Sequence, residues 1–294
     1  KNFTSAFCVR HDYDRVISDK ELTTLIDFYK SKSIKSTWFW LKKTFNQNQI
    51  NKVNLEHHEV SLHSVAKSNN DLSKEIYFFK SKNIDVSGIT IHGGGGSKGH
   101  LGASTIDMSA ENNLEYCELI GKDILYPTFA KTINKNIMLT PAHFSLDVGM
   151  KEDQHDLENL LHLIPDALKA GKLVILMNHT DLHIPQLKRL ITKINLEKSW
   201  CATLIEIAQF IKNRNSLKRT WSKNNNCYYS FSQSLQHKLQ ITIEDADNTK
   251  NFYLEKGDIQ FCVDLFVNCL RLHVEFLGYL HSQAQLLLYT YYIH

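Results

Sequence analysis

Through about residue 215 the chain alternates short apolar runs with stretches in which apolar residues recur at helical spacing. Residues 6–9 form an apolar run that ends in Arg10-His11-Asp12-Tyr13-Asp14. Ser18-x-x-Glu21 is a capping-box signature, and Leu22, Leu25, Ile26 and Tyr29 follow it on one helical face. Residues 37–41 read as a buried, aromatic-rich strand, 59–63 as an alternating strand and 70–79 as a helix. Residues 86–92 predict a strand that runs into Gly93–Gly96. Further helices are predicted over 153–163, over a short stretch after Pro165 closed by Gly171, and over 185–194 with Pro185 at its start. A last one runs from the Thr203-x-x-Glu206 box to Arg214. Between them, 173–177 is a continuous apolar strand ending in Asn178-His179. Strand and helix in alternation over this length predict a parallel sheet, open or closed into a barrel.

From about residue 218 the period changes to two. Leu239, Ile241 and Ile243 alternate with polar neighbours. So do Ile259, Phe261, Val263, Leu265 and Val267, and again Leu270, Leu272, Val274 and Phe276. One apolar and one polar face per strand marks antiparallel pairing. With 223–226 as a linker, the expected organisation is an α/β domain at 1–218 and a small all-β accessory domain at 219–294.

Composition narrows the function classes. A chain of 294 residues with 43% apolar content carries a large core and is not disordered. Its 34 Lys+Arg against 31 Asp+Glu leave +3, which predicts neither a nucleic-acid groove nor an anionic membrane surface. The 6 cysteines are scattered with no C-x-x-C pair, so they read as reduced thiols and point to a cytoplasmic setting. No signal-peptide pattern is visible, although the first residue is Lys, and no stretch is apolar enough for a membrane span.

In such sheets functional groups gather where strands end. Polar clusters stand at four predicted strand ends: 11–14, 59–63, His92 before its glycines, and Asn178-His179. Asp12 and Asp14 are two residues apart, so an extended backbone points both to one face, ~6–7 Å apart at ~3.3 Å per residue. Two carboxylates in one mouth stay ionised beside a cation. A divalent metal on one of them leaves the other free as a base. Local pairing with Arg10 and Arg15 is the plainer alternative. His63 is a candidate imidazole ligand and His179 a candidate acid or base. His57 and His58, nearer the strand start, read as surface or supporting residues. His92 precedes glycines that let a substrate approach the backbone, which makes it a candidate substrate contact. The glycine run lacks phosphate-loop spacing.

Taken in order, these clusters resemble the polysaccharide deacetylases (NodB homology, carbohydrate esterase family 4). Arg10-His-Asp-Tyr-Asp14 is similar to the R-H-D-x-D opening of one branch. Ser36-Thr-Trp-Phe-Trp40 is similar to the family's second strand, and Glu59-Val-Ser-Leu-His63-Ser-Val-Ala-Lys67 resembles its E-I-G-x-H-x-x-x-H motif. His179 matches the late L-x-x-H motif, and 203–214 the closing helix. The resemblance covers roughly 6–214. It implies a distorted (β/α) barrel that holds one divalent metal ion, usually zinc, through an Asp and two His. It also implies hydrolysis of an N- or O-acetyl group on a sugar of a polysaccharide or glycoconjugate. Carried over, Asp12 is the general base and Asp14 the metal ligand, with the two roles exchangeable. His63 is the first imidazole ligand and His179 the general acid. Two departures stand out. The family's arginine-proline motif after the third strand is replaced by His92 and its glycines. Lys67 stands in place of the second ligating His. Either His92 or His143 then supplies the missing ligand, or the ion binds with fewer protein ligands, or Lys67 replaces it in a catalytically degenerate glycan-binding protein.

Overall fold

The computed structural model describes residues 3–92, 103–119, 126–132, 135–147 and 152–221, and beyond them the strand segments 227–231, 238–245, 248–254, 260–263, 271–278 and 284–286. In chain order the α/β part runs β1 (Ser5–Tyr13), α1 (Asp19–Ser31), β2 (Ser36–Trp40), α2 (Gln47–Leu55), β3 (Glu59–Ser64), α3 (Asn69–Lys80) and β4 (Gly88–Ile91). It continues with α4 (Ala103–Glu111), β5 (Tyr116–Leu119), β6 (Thr128–Lys131), β7 (Asn136–Pro141) and β8 (Phe144–Ser145). It ends with α5 (Leu157–Lys169), β9 (Leu173–His179), α6 (Ile184–Lys193), β10 (Ser199–Cys201) and α7 (Leu204–Ser216).

The strands form a ten-stranded sheet in the order β6-β7-β5-β4-β3-β2-β1-β9-β8, with β10 also on β1. Its pairs are parallel except β6–β7. The sheet curls into a half-barrel, the distorted (β/α) barrel expected. Partners in register share a face, so the alternation along β1 sorts its residues into two environments. Phe7, Val9 and Tyr13 face outward and join Trp38, Trp40, Val60, Leu62, Ile89, Ile91, Val174 and Leu176 in one core. The helix stripe Leu22, Leu25, Ile26 and Tyr29 packs onto it. Each aliphatic side chain so buried contributes about 2 kcal/mol. The inner face carries Arg10 and Asp12 instead, level with Thr37 and Phe39 on β2.

Local chemistry sets the ends. Ser18 and Glu21 form the full capping box at α1, and Thr203 and Glu206 cap each other reciprocally at α7. Gly171 follows α5 at φ +73°, a left-handed residue at a helix end. One expectation is corrected here: α5 runs unbroken through Pro165, where the sequence reading divides it. The stripe Leu160, Ile164 and Leu168, buried on the sheet, holds the helix across the lost backbone bond. At Gly88 a Cβ would lie 2.1 Å from the Tyr116 ring, so only glycine lets that ring cover β4.

Past α7 the strands are antiparallel: β11 (Leu217–Trp221), β12 (Cys227–Phe231), β13 (Lys238–Asp245), β14 (Asn248–Leu254), β15 (Gln260–Val263), β16 (Arg271–Gly278) and β17 (Ala284–Leu286). They form a three-stranded sheet, β11-β12-β15, and a four-stranded one, β14-β13-β16-β17. The alternating runs around 239–243, 261–263 and 272–276 fall on β13, β15 and β16. The linker 223–226, Ile259, Leu265, Val267 and Leu270 lie outside the described residues. Among the described residues no helix is long and apolar enough to cross a membrane.

Candidate functional site

The sheet order β4-β3-β2-β1-β9 brings the carboxyl ends of these strands to one rim. Asp12 is on the inner face of β1 opposite His179, the last residue of β9. Asp14 follows the end of β1, His63 is level with Thr90 near the end of β3, and His92 follows β4. All five sequence-predicted residues meet there. His63 Nε2 lies 3.0 Å from Asp14 Oδ1, and His92 Nδ1 lies 3.2 Å from Asp14 Oδ2. The two imidazoles approach to 3.1 Å between His92 Nδ1 and His63 Nε2. His179 Nε2 stands 3.4 Å from Asp14 Oδ2 and 3.8 Å from Asp12 Oδ2. Asp12 and His63 are buried, whereas His92 is about one-third exposed.

Asp14, His63 and His92 each offer one donor atom, all within 4.8 Å of one another. The set of one carboxylate oxygen and two imidazole nitrogens suits zinc or another first-row divalent ion. Asp14 Oδ1 is buried with the His63 Nε2 beside it at 3.0 Å, and a buried carboxylate oxygen facing imidazole nitrogens in this way is stabilised when a cation meets it. The residues present therefore fit a divalent ion.

Four further side chains fix the rest. Arg10, fully buried, sets Nη1 beside Asp12 Oδ1, donates Nε to Glu118 Oε1 on β5 at 2.9 Å and places Nη2 2.6 Å from Glu118 Oε2 as an ion pair. Asp147, just past β8, holds His179 from behind. Its Oδ2 lies 2.6 Å from His179 Nδ1 and accepts the His179 backbone N–H at 2.9 Å. Ser145 hydrogen-bonds the other Asp147 oxygen, and pairing of Ser145 with Met177 sets the register.

Burial opposes every charge in this cluster, and neighbours decide the outcome. For Asp12, the charges of Arg10, His63 and His179 overcome it and hold the carboxyl below its ordinary range. For Asp14, bonds from His179 and His63 overcome it and take the carboxyl far lower. Burial also opposes the His179 cation, but bonds to Asp14 and Asp147 and the nearby carboxylates push its pKa up to about 10. His179 is thus a charged donor at neutral pH. His92 goes the other way, lowered chiefly by burial despite Asp14, and is the neutral imidazole a metal requires.

The structure separates other candidates from the site. Lys67 is exposed after β3 and joins none of the cluster's ion pairs among the described residues. His143 Nδ1 accepts the backbone N–H of Ile175 at 2.9 Å, away from the cluster. His58 is buried at the far end of β3, where Ser36 hydrogen-bonds it, and His57 is exposed. Arg15 pairs with Asp181, not Asp14. Gly93–Gly96 lie outside the described residues. Asp147 and Glu118 are absent from the sequence reading. A charge inside the short apolar strand 116–119 is the signal that could have found Glu118, whereas Asp147 has no spacing of its own.

No protein-family model matches the chain, and no curated protein matches it. Solved structures do match its fold. A protein of Mycobacterium smegmatis assigned as a polysaccharide deacetylase is 13% identical with a TM-score of 0.55, over 75% of this chain and 95% of that one. The catalytic domain of peptidoglycan N-acetylglucosamine deacetylase from Eubacterium rectale is 15% identical over 64% of this chain and 83% of that one, at a TM-score of 0.42. A carbohydrate esterase family 4 pseudoenzyme of Bacillus anthracis is 10% identical over 69% and 65%, at 0.44. At these identities the likeness is one of fold, and of these three the Mycobacterium protein carries it. The α/β part of this chain shares the fold of that Mycobacterium protein.

Proposed function

We propose that the protein is a divalent-metal-dependent hydrolase that removes an acetyl group from an N- or O-acetylated sugar of a polysaccharide or glycoconjugate. One observation supports it above others. Asp14, His63 and His92 converge donor atoms within 4.8 Å, and Asp12 and His179 flank them with a base and a charged acid.

In this reading Asp14, His63 and His92 hold the ion, zinc being the best match to an oxygen-nitrogen-nitrogen set. His92 takes the place that Lys67 leaves open. It thereby moves from the substrate contact expected of it to a ligand. When bound, the ion would polarise the acetyl carbonyl and make a coordinated water more acidic. Asp12 keeps Oδ2 free because Arg10 engages Oδ1, so it takes the proton of the attacking water. Asp14 has its oxygens 3.0 to 3.4 Å from imidazole nitrogens, against 3.7 and 3.8 Å for Asp12, which favours Asp14 as the ligand. His179, oriented through Nδ1 by Asp147, gives the Nε2 proton to the departing amine or alcohol. The strands past 218 make an accessory domain.

The degenerate glycan-binding alternative draws on Lys67, whose exposed side chain does not neutralise Asp12 or Asp14. Acetate release from acetylated chito-oligosaccharides, with metal analysis of the purified protein, tests the proposal. Release is expected to stop on chelation and return with zinc. Asp12→Asn is expected to lower the rate roughly 10²–10⁴-fold, the range for a lost general base. Undiminished release by Asp12→Asn would overturn the assignment.

A further inference from the structure

Glu118 lies on β5, with β4, β3 and β2 between it and β1 in the sheet. It nevertheless reaches Arg10, because the curled sheet faces β5 toward β1 across the interior. The contact is built, not incidental. Glu118 Oε1 accepts from Arg10 Nε at 2.9 Å and Oε2 lies 2.6 Å from Nη2, with both side chains fully buried. The guanidinium carbon sits 5.5 Å from the centre of the Phe39 ring, which closes its flat face. Two carboxylates share one guanidinium here, and burial pushes the Glu118 carboxyl up to about 7 even beside Arg10. That arrangement costs more than an apolar pair of the same shape. Packing alone does not require it.

The fork geometry supplies a reason. A guanidinium can offer two parallel N–H groups to one carboxylate. Here Glu118 occupies the Nε–Nη2 edge, so Asp12 receives only Nη1 on Oδ1. Asp12 Oδ2 stays turned to His179, 3.8 Å from its Nε2. Without Glu118 the same edge could swing to grip both oxygens of Asp12, which would occupy the lone pairs a base needs. We propose that Glu118 is a positioning residue, holding Arg10 by one edge so that Asp12 keeps one oxygen unengaged by the guanidinium and turned toward His179 beside the metal-ligand cluster. The proposal rests on the reading of Asp12 as the base.

The test has an arm that needs no turnover. The carboxyl carbon of Asp12, identified in ¹³C NMR by its loss in Asp12→Asn, is expected to shift in Glu118→Gln; an unmoved signal overturns the proposal. Should Glu118→Gln not fold, wild-type protein decides: hindered rotation about the Arg10 Cζ bonds, seen as separate Nη proton resonances, supports the hold. A freely averaging guanidinium refutes it. In kinetics, Glu118→Gln is expected to lower kcat roughly 10–100-fold by misplacing the base, with KM and metal content as in wild type. It is expected to change nothing further in Asp12→Asn. Equal losses in both backgrounds mean a merely structural role and overturn the proposal. If wild type neither binds metal nor releases acetate while the Asp12 signal still moves, the hydrolase reading fails and the coupling stands.

Discussion

Glu59→Gln is expected to make this protein more stable at pH 8 and to leave it unchanged near pH 4.5. Glu59 is buried at the start of β3, on the inner face and at the end of the barrel away from the acid-imidazole cluster. Its partners are all neutral donors. Thr37 Oγ1 lies 2.8 Å from Oε2, Tyr116 Oη 2.7 Å from Oε1, and the Ile205 N–H, in the first turn of α7, 3.0 Å from Oε2. These bonds tie α7 to the sheet and lower the carboxyl pKa, but burial outweighs them and pushes it from 4.5 up to about 7. The folded state therefore holds this proton more tightly than the unfolded chain. Below pH 4.5 both states are protonated and no penalty exists. The penalty grows as pH rises from 4.5 and is complete above about 7. At 1.36 kcal/mol per unit it reaches roughly 3 kcal/mol. Glutamine keeps both acceptor bonds at its carbonyl oxygen and presents its NH₂ to the Tyr116 oxygen, without a charge to bury. Urea unfolding followed by tryptophan fluorescence, for both proteins at each pH, measures the difference. A gain of roughly 2–3 kcal/mol at pH 8 that disappears near pH 4.5 is expected. A loss at both pH values would refute the reasoning and show that the charge-assisted bond to the α7 terminus repays its burial.

Two further outcomes follow from the cluster itself. His92→Ala is expected to weaken metal binding at least ~100-fold, more than the loss of a supporting residue costs, and Lys67→Ala to leave it unchanged. Titration with zinc against a chromogenic chelator checks both, and a reversed order would move the third ligand to Lys67. Asp147→Asn is expected to lower kcat roughly 10²–10⁴-fold through His179. Asp147 raises the His179 pKa, so its loss should also move the basic limb of the pH–rate profile to lower pH. An unmoved limb would remove His179 as the acid.

Much of the rim was legible because period and chemistry agree there. Along β1 the alternation gives Val9 and Tyr13 to the core and Arg10 and Asp12 to the interior. The same alternation could have placed Arg10 beside Asp12 as a partner in the site, where local pairing was only the plainer alternative. Capping boxes marked α1 and α7 because their bonds are local. Pro165 misled for the opposite reason: tertiary packing of Leu160, Ile164 and Leu168 overrides a local helix breaker. Asp147 and Glu118 act through β8–β9 pairing and through curvature of the sheet, neither of which leaves a periodic trace. The proposed replacement of a ligand at position 67 by His92, 25 residues on, depends on β3 and β4 being neighbours in the sheet.

The central claim is that Asp14, His63 and His92 share one divalent ion while Asp12 stands aside as the base. Crystals of the zinc-loaded protein, with data collected on both sides of the zinc absorption edge, test it directly. The account predicts a single anomalous peak within ~2.0–2.2 Å of an Asp14 oxygen and one nitrogen each of His63 and His92, with Asp12 outside that shell. A peak ligated by Asp12 in place of Asp14, or none among these residues at saturating zinc, would contradict it.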